Sequence, residues 1–331
     1  MTTSGTIAAT LVDVTLIIEH AFRRCGKLAS TISSELQLSA KENLFFLLSD
    51  LANRGLSLWC VQKYVLGVNA YQASFPLPAG VVDVNNALYR TSTILTGTAI
   101  AGAGYQGLDL GADAVVSNVA LKFTGATVAS LVLEYSADNT LWTLAQAFPG
   151  AQTVAALAWL CQDAENSPPA RYWRVRDLSG VLPAVAALAF ANMPQELPMA
   201  KLAGDDYQNL PNKTQSGGKS LQFWFDKQTT PRLVVWPVSP ASSDQIVVWT
   251  QRHIQDVGAL TNTLDVPQRW LESVILTLAC RCALELPAGE LPPGRYELLS
   301  MEAEKHLLQA ENSESDGAPI RISLNISGYS R

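Results

Sequence analysis

The sequence predicts an α+β protein: a helical and β-meander body into which an all-β sandwich is inserted near residue 93. Three observations carry this. Apolar residues recur at helical spacing towards both ends of the 331-residue chain. From about Thr93 to Met193 the composition shifts to Ala, Gly, Val and Leu with sparse charges, and apolar and polar residues alternate in runs such as "VSNVALKF", "SLVLEYS" and "RYWRVRDL". Such runs, separated by turn residues, are the pattern of a sandwich. Beyond the insert, "LQFWFD", "PRLVVWPV" and "DQIVVWTQRHI" read as a meander of strands with Pro231 and Pro240 at the turns. The expected domains are a discontinuous body over 1–92 and 195–316, an inserted sandwich over 93–194, and a C-terminal tail over 317–331.

Taken in order, the first helix is set by Val14, Ile17, Ile18, Ala21, Phe22 and Cys25, one apolar stripe, with Gly26 placed to end it. Ser39 and Glu42 form a capping box ahead of a second stripe, Leu44, Leu47, Leu48 and Leu51, with Gly55 at its end. The period then changes to two, and "LSLWCVQKYVLG" and "YQASFPLP" read as a strand pair turning at Gly67 to Asn69. After the meander, Asp265 as cap and Pro267 in the first turn open a long helix, residues 267 to 286. It is apolar on nearly every side (Trp270, Leu271, Val274, Ile275, Leu278, Cys282), which calls for burial all round, by its own domain or by neighbours. The last helix carries Tyr296, Leu299, Ala303, Leu307 and Ala310 along one face. The tail contains one candidate strand, "IRISLNI", and tails of this kind dock by adding a strand to a partner.

The totals exclude several function classes. Net charge is −6 and no basic run exceeds Arg23-Arg24, so the phosphate-gripping stripe of a DNA-binding protein is missing. The 267–286 helix contains Glu272, Arg281 and Glu285, which a membrane span tolerates badly, and the N-terminus has no basic region ahead of its apolar part. Five scattered cysteines (Cys25, Cys60, Cys161, Cys280, Cys282) read as buried reduced thiols of a soluble cytoplasmic product. "SGGKS" at 216–220 fails the phosphate-loop pattern because Lys213 stands where a glycine is needed. "GAGYQGLDLG" lacks the strand and helix of a dinucleotide fingerprint, and His20, His253 and His306 stand in no metal-ligand spacing. No nucleophile elbow or triad is visible. The expectation is a non-enzymatic protein without cofactor or metal.

Two resemblances follow. Glu134, Tyr135, Ser136, Asp138 and Trp142 match the E-Y-S-x-D-x-x-x-W hairpin of the discoidin-like, galactose-binding-like sandwich (a jelly roll), and Arg171, Tyr172 and Trp173 open its R-Y-x-R-V strand. Members of that fold bind sugars or lipids through loops at one end, or bind nothing. The flanking two-thirds resembles the head-to-tail adaptors, or tail tubular A-type proteins, of short-tailed bacteriophages. "LIIEHAFRRCGKL", "ENLFFLLSDLANRGLSLWCVQKY" and "YQASFPLPAGVVDVNNALYR" are similar to their opening. The series then resumes with Tyr207, Lys213, Phe223, Asp226, Trp236, Pro237, Pro267 and Trp270, expected as structural or interface residues. It breaks off at Arg90 and picks up near Met199, which is why the segment between is read as an insertion.

The adaptor resemblance implies a virion protein of the neck, made in the host bacterial cytoplasm. Copies of the chain would form a ring, twelve by family habit, under the portal protein. The ring would extend the channel through which DNA passes without specific binding, and would receive a tail nozzle, hub or fibre protein below. It further implies a portal-docking tail carried by Ile320, Ile322, Leu324, Ile326 and Tyr329, and it makes Glu302, Glu311 and Glu314 candidates for lining the channel. The alternative is a carbohydrate-binding or adhesion protein that works through the inserted sandwich.

Overall fold

The computed structural model describes residues 12–53, 58–165, 167–254, 257–287 and 289–314, so the tail residues Ile320, Ile322, Leu324, Ile326 and Tyr329 lie outside the described residues. Five helices fall among those described: α1 (Val14–Arg24), α2 (Ser34–Asn53), α3 (Gly204–Gln208), α4 (Gln268–Glu285) and α5 (Arg295–Ser313). Contacts divide the chain into two compact units, Met1–Cys60 with His253–Arg331, and Val61–Arg252.

The first unit is helical. Asp13 caps α1 by accepting from the Leu16 amide at 2.8 Å, and Arg23 and Arg24 sit in its last turn, where cations suit the helix dipole. Val14, Ile17, Ile18, Ala21 and Phe22 are all buried, the face that the spacing predicts. The second helix departs from expectation. It begins at Ser34, where Ser33 Oγ accepts from the Leu36 amide at 3.2 Å, and Ser39 lies inside the helix, donating to the Glu285 carboxylate. The capping box is therefore not the start of α2; a serine six residues earlier does that work.

Helix α4 packs against α1, α2 and α5, and Trp270, Val274, Leu276, Leu278, Ala279 and Cys282 are buried there. Three helices of its own unit thus cover much of its apolar surface, while Leu271 and Ile275 are half-buried and Leu284 is exposed. No helix among the described residues is long and apolar enough to cross a membrane.

The second unit is built on a closed ring of six strands. In order these are β1 (Val61–Gly67), β11 (Trp159–Asp163), β6 (Asn118–Phe123), β13 (Val185–Pro198), β3 (Val81–Ile94) and β17 (Gln245–Arg252). A four-stranded sheet, β14 (Ala200–Lys201), β15 (Gln222–Asp226), β16 (Arg232–Trp236) and β2 (Ser74–Pro76), shares one core with it. There Phe75, Phe223, Phe225 and Leu233 meet Val84, Tyr89, Ile246 and Val248.

A five-stranded sheet shares the other core: β4 (Thr98–Gly102), β5 (Tyr105–Ala114), β12 (Ala170–Asp177), β8 (Leu131–Ser136) and β9 (Thr143–Ala147), with the pair β10 (Gln152–Val154) and β7 (Thr127–Ala129) beside it. In that core Leu131, Leu133, Trp173 and Val175 lie against Val119, Leu121, Phe123 and Phe190. This is a β-sandwich, and with the helical unit it makes the chain α+β.

The positions 92/93 and 194/195 fall inside β3 and β13, which run alongside each other with Thr93 opposite Asn192 and Thr91 opposite Gln195. The register slips between Asn192 and Gln195, where Met193 takes φ 48°. Segment 93–194 supplies β6, β11 and β13 to the same ring as β1, β3 and β17, so its sandwich shares strands with the rest of the unit.

Two local expectations change. β1 and β2 are not a hairpin: β1 pairs with β17 and β11, and β2 pairs with β16. β15 and β16 pair as the meander requires, but β17 leaves that sheet for the ring, where Val248 faces Tyr64 and Ala87. The glycine-rich stretch at 102–111 is the end of β4, the two-residue turn Ala103-Gly104 and the first seven residues of β5.

Candidate functional site

One polar cluster draws on all six strands of the ring. Arg90, 4% exposed, donates through Nη1 to Asp163 Oδ1 at 2.5 Å and through Nη2 to Glu196 Oε1 at 2.6 Å. It also reaches Gln245 Oε1 at 3.3 Å, and Lys63 Nζ donates to Asp163 Oδ2 at 2.5 Å. Gln245 Nε2 donates to Asn118 Oδ1 at 3.4 Å, and Asn118 passes the chain to Ser92 Oγ at 3.0 Å. Two cations face two carboxylates, so the cluster is neutral, as buried charge must be. Burial raises the Asp163 pKa, but the hydrogen bonds and charges of Arg90 and Lys63 more than offset this and hold it below the ordinary carboxylate value.

Beside this cluster β1 and β11 share a single pairing, Leu66 with Leu160. Next to it lies a cavity of about 430 Å³ lined by Lys63, Phe148, Gln152, Gln162, Asp163 and Glu165 among others. The seam closes at Gly67 because that residue has no side chain: an added Cβ would stand 2.8 Å from Trp159 Cγ and 2.9 Å from Cys161 Sγ. Nothing around the cavity pairs a nucleophile with a base, and among the described residues no group of three His, Cys, Asp or Glu could hold a metal.

The residues of the discoidin-like signature come together. Trp173 is fully buried, lies 5.6 Å from the Tyr135 ring, and donates Nε1 to Ala170 O at 2.9 Å. Glu134 accepts from Arg174 Nε at 2.7 Å and Arg176 Nη2 at 2.7 Å. Arg174 stands 3.9 Å over the Trp142 ring and 4.6 Å over Tyr105. Ser136 donates to Asp138, whose carboxylate accepts the amides of Thr140 and Leu141 at 2.9 and 3.0 Å and so fixes the β8–β9 turn. Arg171 pairs with Asp109 at 2.7 Å and lies over Tyr172. Trp142, the last residue of the hairpin signature, covers the Arg174 guanidinium.

Six of the eight adaptor-series residues lie in the β unit. Tyr207 on α3 stacks on Trp224 with centroids 5.0 Å apart, and Lys213 donates to Gln208 O at 2.9 Å. Phe223 is buried, and Asp226 ends β15 opposite Arg232. Trp236 Nε1 donates to Asn212 O at 2.9 Å, and Pro237 O accepts from Ser220 at 2.8 Å. In the helical unit Pro267 directly precedes α4, without a side-chain cap bond, and Trp270 is buried beside Trp59 at 5.3 Å.

The candidate channel residues separate. Glu302 is exposed and Glu311 half-buried, both on α5. Glu314 is buried at 5% exposure, where it accepts a hydrogen bond from Trp270 Nε1 at 2.9 Å and pairs with Arg269 at 2.5 Å. Covered by its own chain, the Glu314 carboxylate anchors the end of α5 to the start of α4. The Arg90 cluster is absent from the sequence reading. Its only trace there is charge in otherwise apolar, alternating strands, since its partners are 73 and 106 residues away.

No family model matches the chain, and no curated protein does. Among solved structures, the C-terminal domain of a chitobiase from Bacteroides fragilis is 19% identical over 28% of this chain, with a TM-score of 0.23; the match spans 64% of that domain. A chitosan-binding module of a chitosanase/glucanase from Paenibacillus sp. is 15% identical over 35% of this chain and 100% of its own, TM-score 0.23. The CBM32 of AlyQ, bound to 4,5-unsaturated mannuronic acid, is 15% identical over 40% of this chain and 99% of its own, TM-score 0.23. At such scores these likenesses assign neither ligand nor role to this chain.

Proposed function

We propose that the chain is a structural virion protein, a head-to-tail adaptor of a short-tailed bacteriophage, one copy in a ring beneath the portal. The ordered sequence series on both sides of segment 93–194 is its first support. The observation that carries it furthest is where that series breaks and resumes. Arg90 and Glu196 are opposed across β3 and β13 and joined by a 2.6 Å hydrogen bond, and the Met199 amide donates to Ala87 O at 2.9 Å. The two ends of the interruption are neighbours, as an insertion into an existing fold requires. Exposed apolar side chains on the helical unit, including Phe45, Phe46, Leu298 and Met301, further favour a protein that works among partners.

In this reading the chain is a non-enzymatic neck component made in the host cytoplasm. Its net charge of −6 suits a channel that releases DNA. Co-sedimentation of the full chain with the portal protein of the same genome tests the reading. Co-migration is expected, and a chain that ignores the portal removes it.

Carbohydrate binding through the sandwich is the alternative, favoured by the aromatic and guanidinium groups gathered at Tyr105, Trp142 and Arg174. Those ring faces are already covered by Arg174, which weakens them as a sugar platform. A glycan array probed with the full chain separates the two, because specific binding lost on Trp142→Ala would favour the alternative.

A further inference from the structure

The helical unit exposes two apolar stripes, one on α2 and one on α5, each on the side away from its buried face. On α2, Leu38, Glu42 and Phe45 stand at i, i+4 and i+7, with Phe46 beside them; Phe46 is 58% exposed and lies 5.7 Å from Phe45. On α5, Met301, Lys305 and Leu308 stand at the same spacing, with Leu298 extending the row; Met301 is 67% exposed. The buried sides of these helices, Ala40, Leu44, Leu47 and Leu48 on α2 and Leu299, Ala303 and Ala310 on α5, account for their packing in the core with α4. The outer rows are therefore surplus to the fold of the unit.

The two rows match. Each is apolar–charged–apolar, and the central charges are opposite, Glu42 on one and Lys305 on the other. Both are exposed, and neither has a side-chain partner among the described residues. Laid along one another in either direction, the rows bring the two charges to the same level within one residue's rise, about 1.5 Å. Neither row suits a copy of itself, since that sets Glu42 against Glu42 or Lys305 against Lys305 at the centre of an apolar seam. A pair of different, complementary faces on one chain makes a heterologous contact, and such contacts repeat from copy to copy and form a ring where the rotation between copies closes.

We propose that the α2 face of one copy docks on the α5 face of the next, with Glu42 paired to Lys305 of its neighbour. The occupant of each face is a second copy of this chain. The proposal rests on the ring reading above and names its interface.

The test is charge reversal in the full chain, read by sedimentation velocity and native mass spectrometry. Both side chains are exposed, so Glu42→Lys and Lys305→Glu are expected to keep the wild-type circular dichroism spectrum and melting temperature. Wild type should self-associate, and each single reversal should weaken association by at least about tenfold. The double reversal Glu42→Lys/Lys305→Glu should regain it. So should an equimolar mixture of the two single variants. There the reversed α2 face of one variant meets the reversed α5 face of the other, and the unchanged α2 face meets the unchanged α5 face.

Single variants that associate like wild type overturn the interface, as does a double variant that stays weak or a wild type that remains monomeric. Multi-copy portal binding with unaffected single variants would overturn the interface and leave the adaptor reading in place. Rescue by the double reversal in a chain that ignores the portal would do the reverse.

Discussion

Arg90 holds Asp163 and Glu196 together, at 2.5 and 2.6 Å, from a site 4% exposed to solvent. Arg90 lies on β3, Glu196 on its neighbour β13 and Asp163 on β11, so one guanidinium ties the ring across strands far apart in sequence. Removing it leaves the partly exposed Glu196 without its cation and the largely buried Asp163 with Lys63 alone. Arg90→Met should cost about 3–5 kcal/mol, the range for breaking a buried pair from one side. Urea unfolding followed by tryptophan fluorescence measures it, and a loss below about 1 kcal/mol would mean that solvent reaches the cluster.

The same cluster makes stability depend on pH. Asp163 is held below its usual pKa in the folded chain, so the stability it contributes is fully present above the unfolded carboxylate value of about 4. That contribution is lost as pH falls through the lower folded value. Urea midpoints measured from neutral pH downward should therefore fall for wild type below about pH 4, and fall less for Asp163→Asn. In Arg90→Met one fewer cation opposes the burial of Asp163, so its folded pKa is less depressed and the part of the acid loss that Asp163 causes should shrink.

Gly67 controls the seam of the ring. An added Cβ would meet Trp159 Cβ first, with Trp159 Cγ at 2.8 Å and Cys161 Sγ at 2.9 Å, so rotating the indole gives no relief and Gly67→Ala must part β1 from β11. The expected cost is about 1–3 kcal/mol from overpacking. Hydrogen exchange at the Leu66 and Leu160 amides should rise in the variant, which separates local opening of the seam from general destabilisation.

Glu314 anchors the end of α5 to the start of α4. Glu314→Ala leaves the buried Trp270 indole N–H without its acceptor, while Arg269, about half exposed, recovers water. The cost should be that of an unsatisfied donor, about 1–3 kcal/mol in thermal or urea unfolding. A channel-lining role would instead predict unchanged stability.

The thiols offer a check on packing. Burial pushes Cys25 up to about 11, and Cys161 and Cys282 up to about 12, so their thiolates are scarce in the native chain. Alkylation at pH 8 should leave these three unmodified in the folded protein, label the half-buried Cys280 first, and reach all five in urea.

How far the sequence could be read depended on how local the interaction was. The α1 stripe is a property of twelve consecutive residues, Val14 to Cys25, and it is buried as its spacing predicts. The sandwich hairpin around Asp138 was legible for the same reason, since Ser136, Thr140 and Leu141 supply its bonds within three residues. Strand partnership was not. β1 looks like half of a hairpin, yet Val65 pairs with Val247, because apolar alternation says which face is buried and is silent on what covers it. Ser39 and Glu42 fit a capping box, but Ser33 offered the same chemistry earlier and Glu285, distant in sequence, claimed the Ser39 hydroxyl. Among the candidate site residues, Trp142 and Glu314 were visible as residue types, while the Arg174 and Trp270 contacts that define them depend on the tertiary fold.

Native mass spectrometry of the full chain mixed with the portal protein of the same genome tests the adaptor reading most directly. A discrete complex carrying many copies of this chain on the portal is expected, with the copy number read from its mass. A chain that remains monomeric and unbound beside an intact portal would refute that reading.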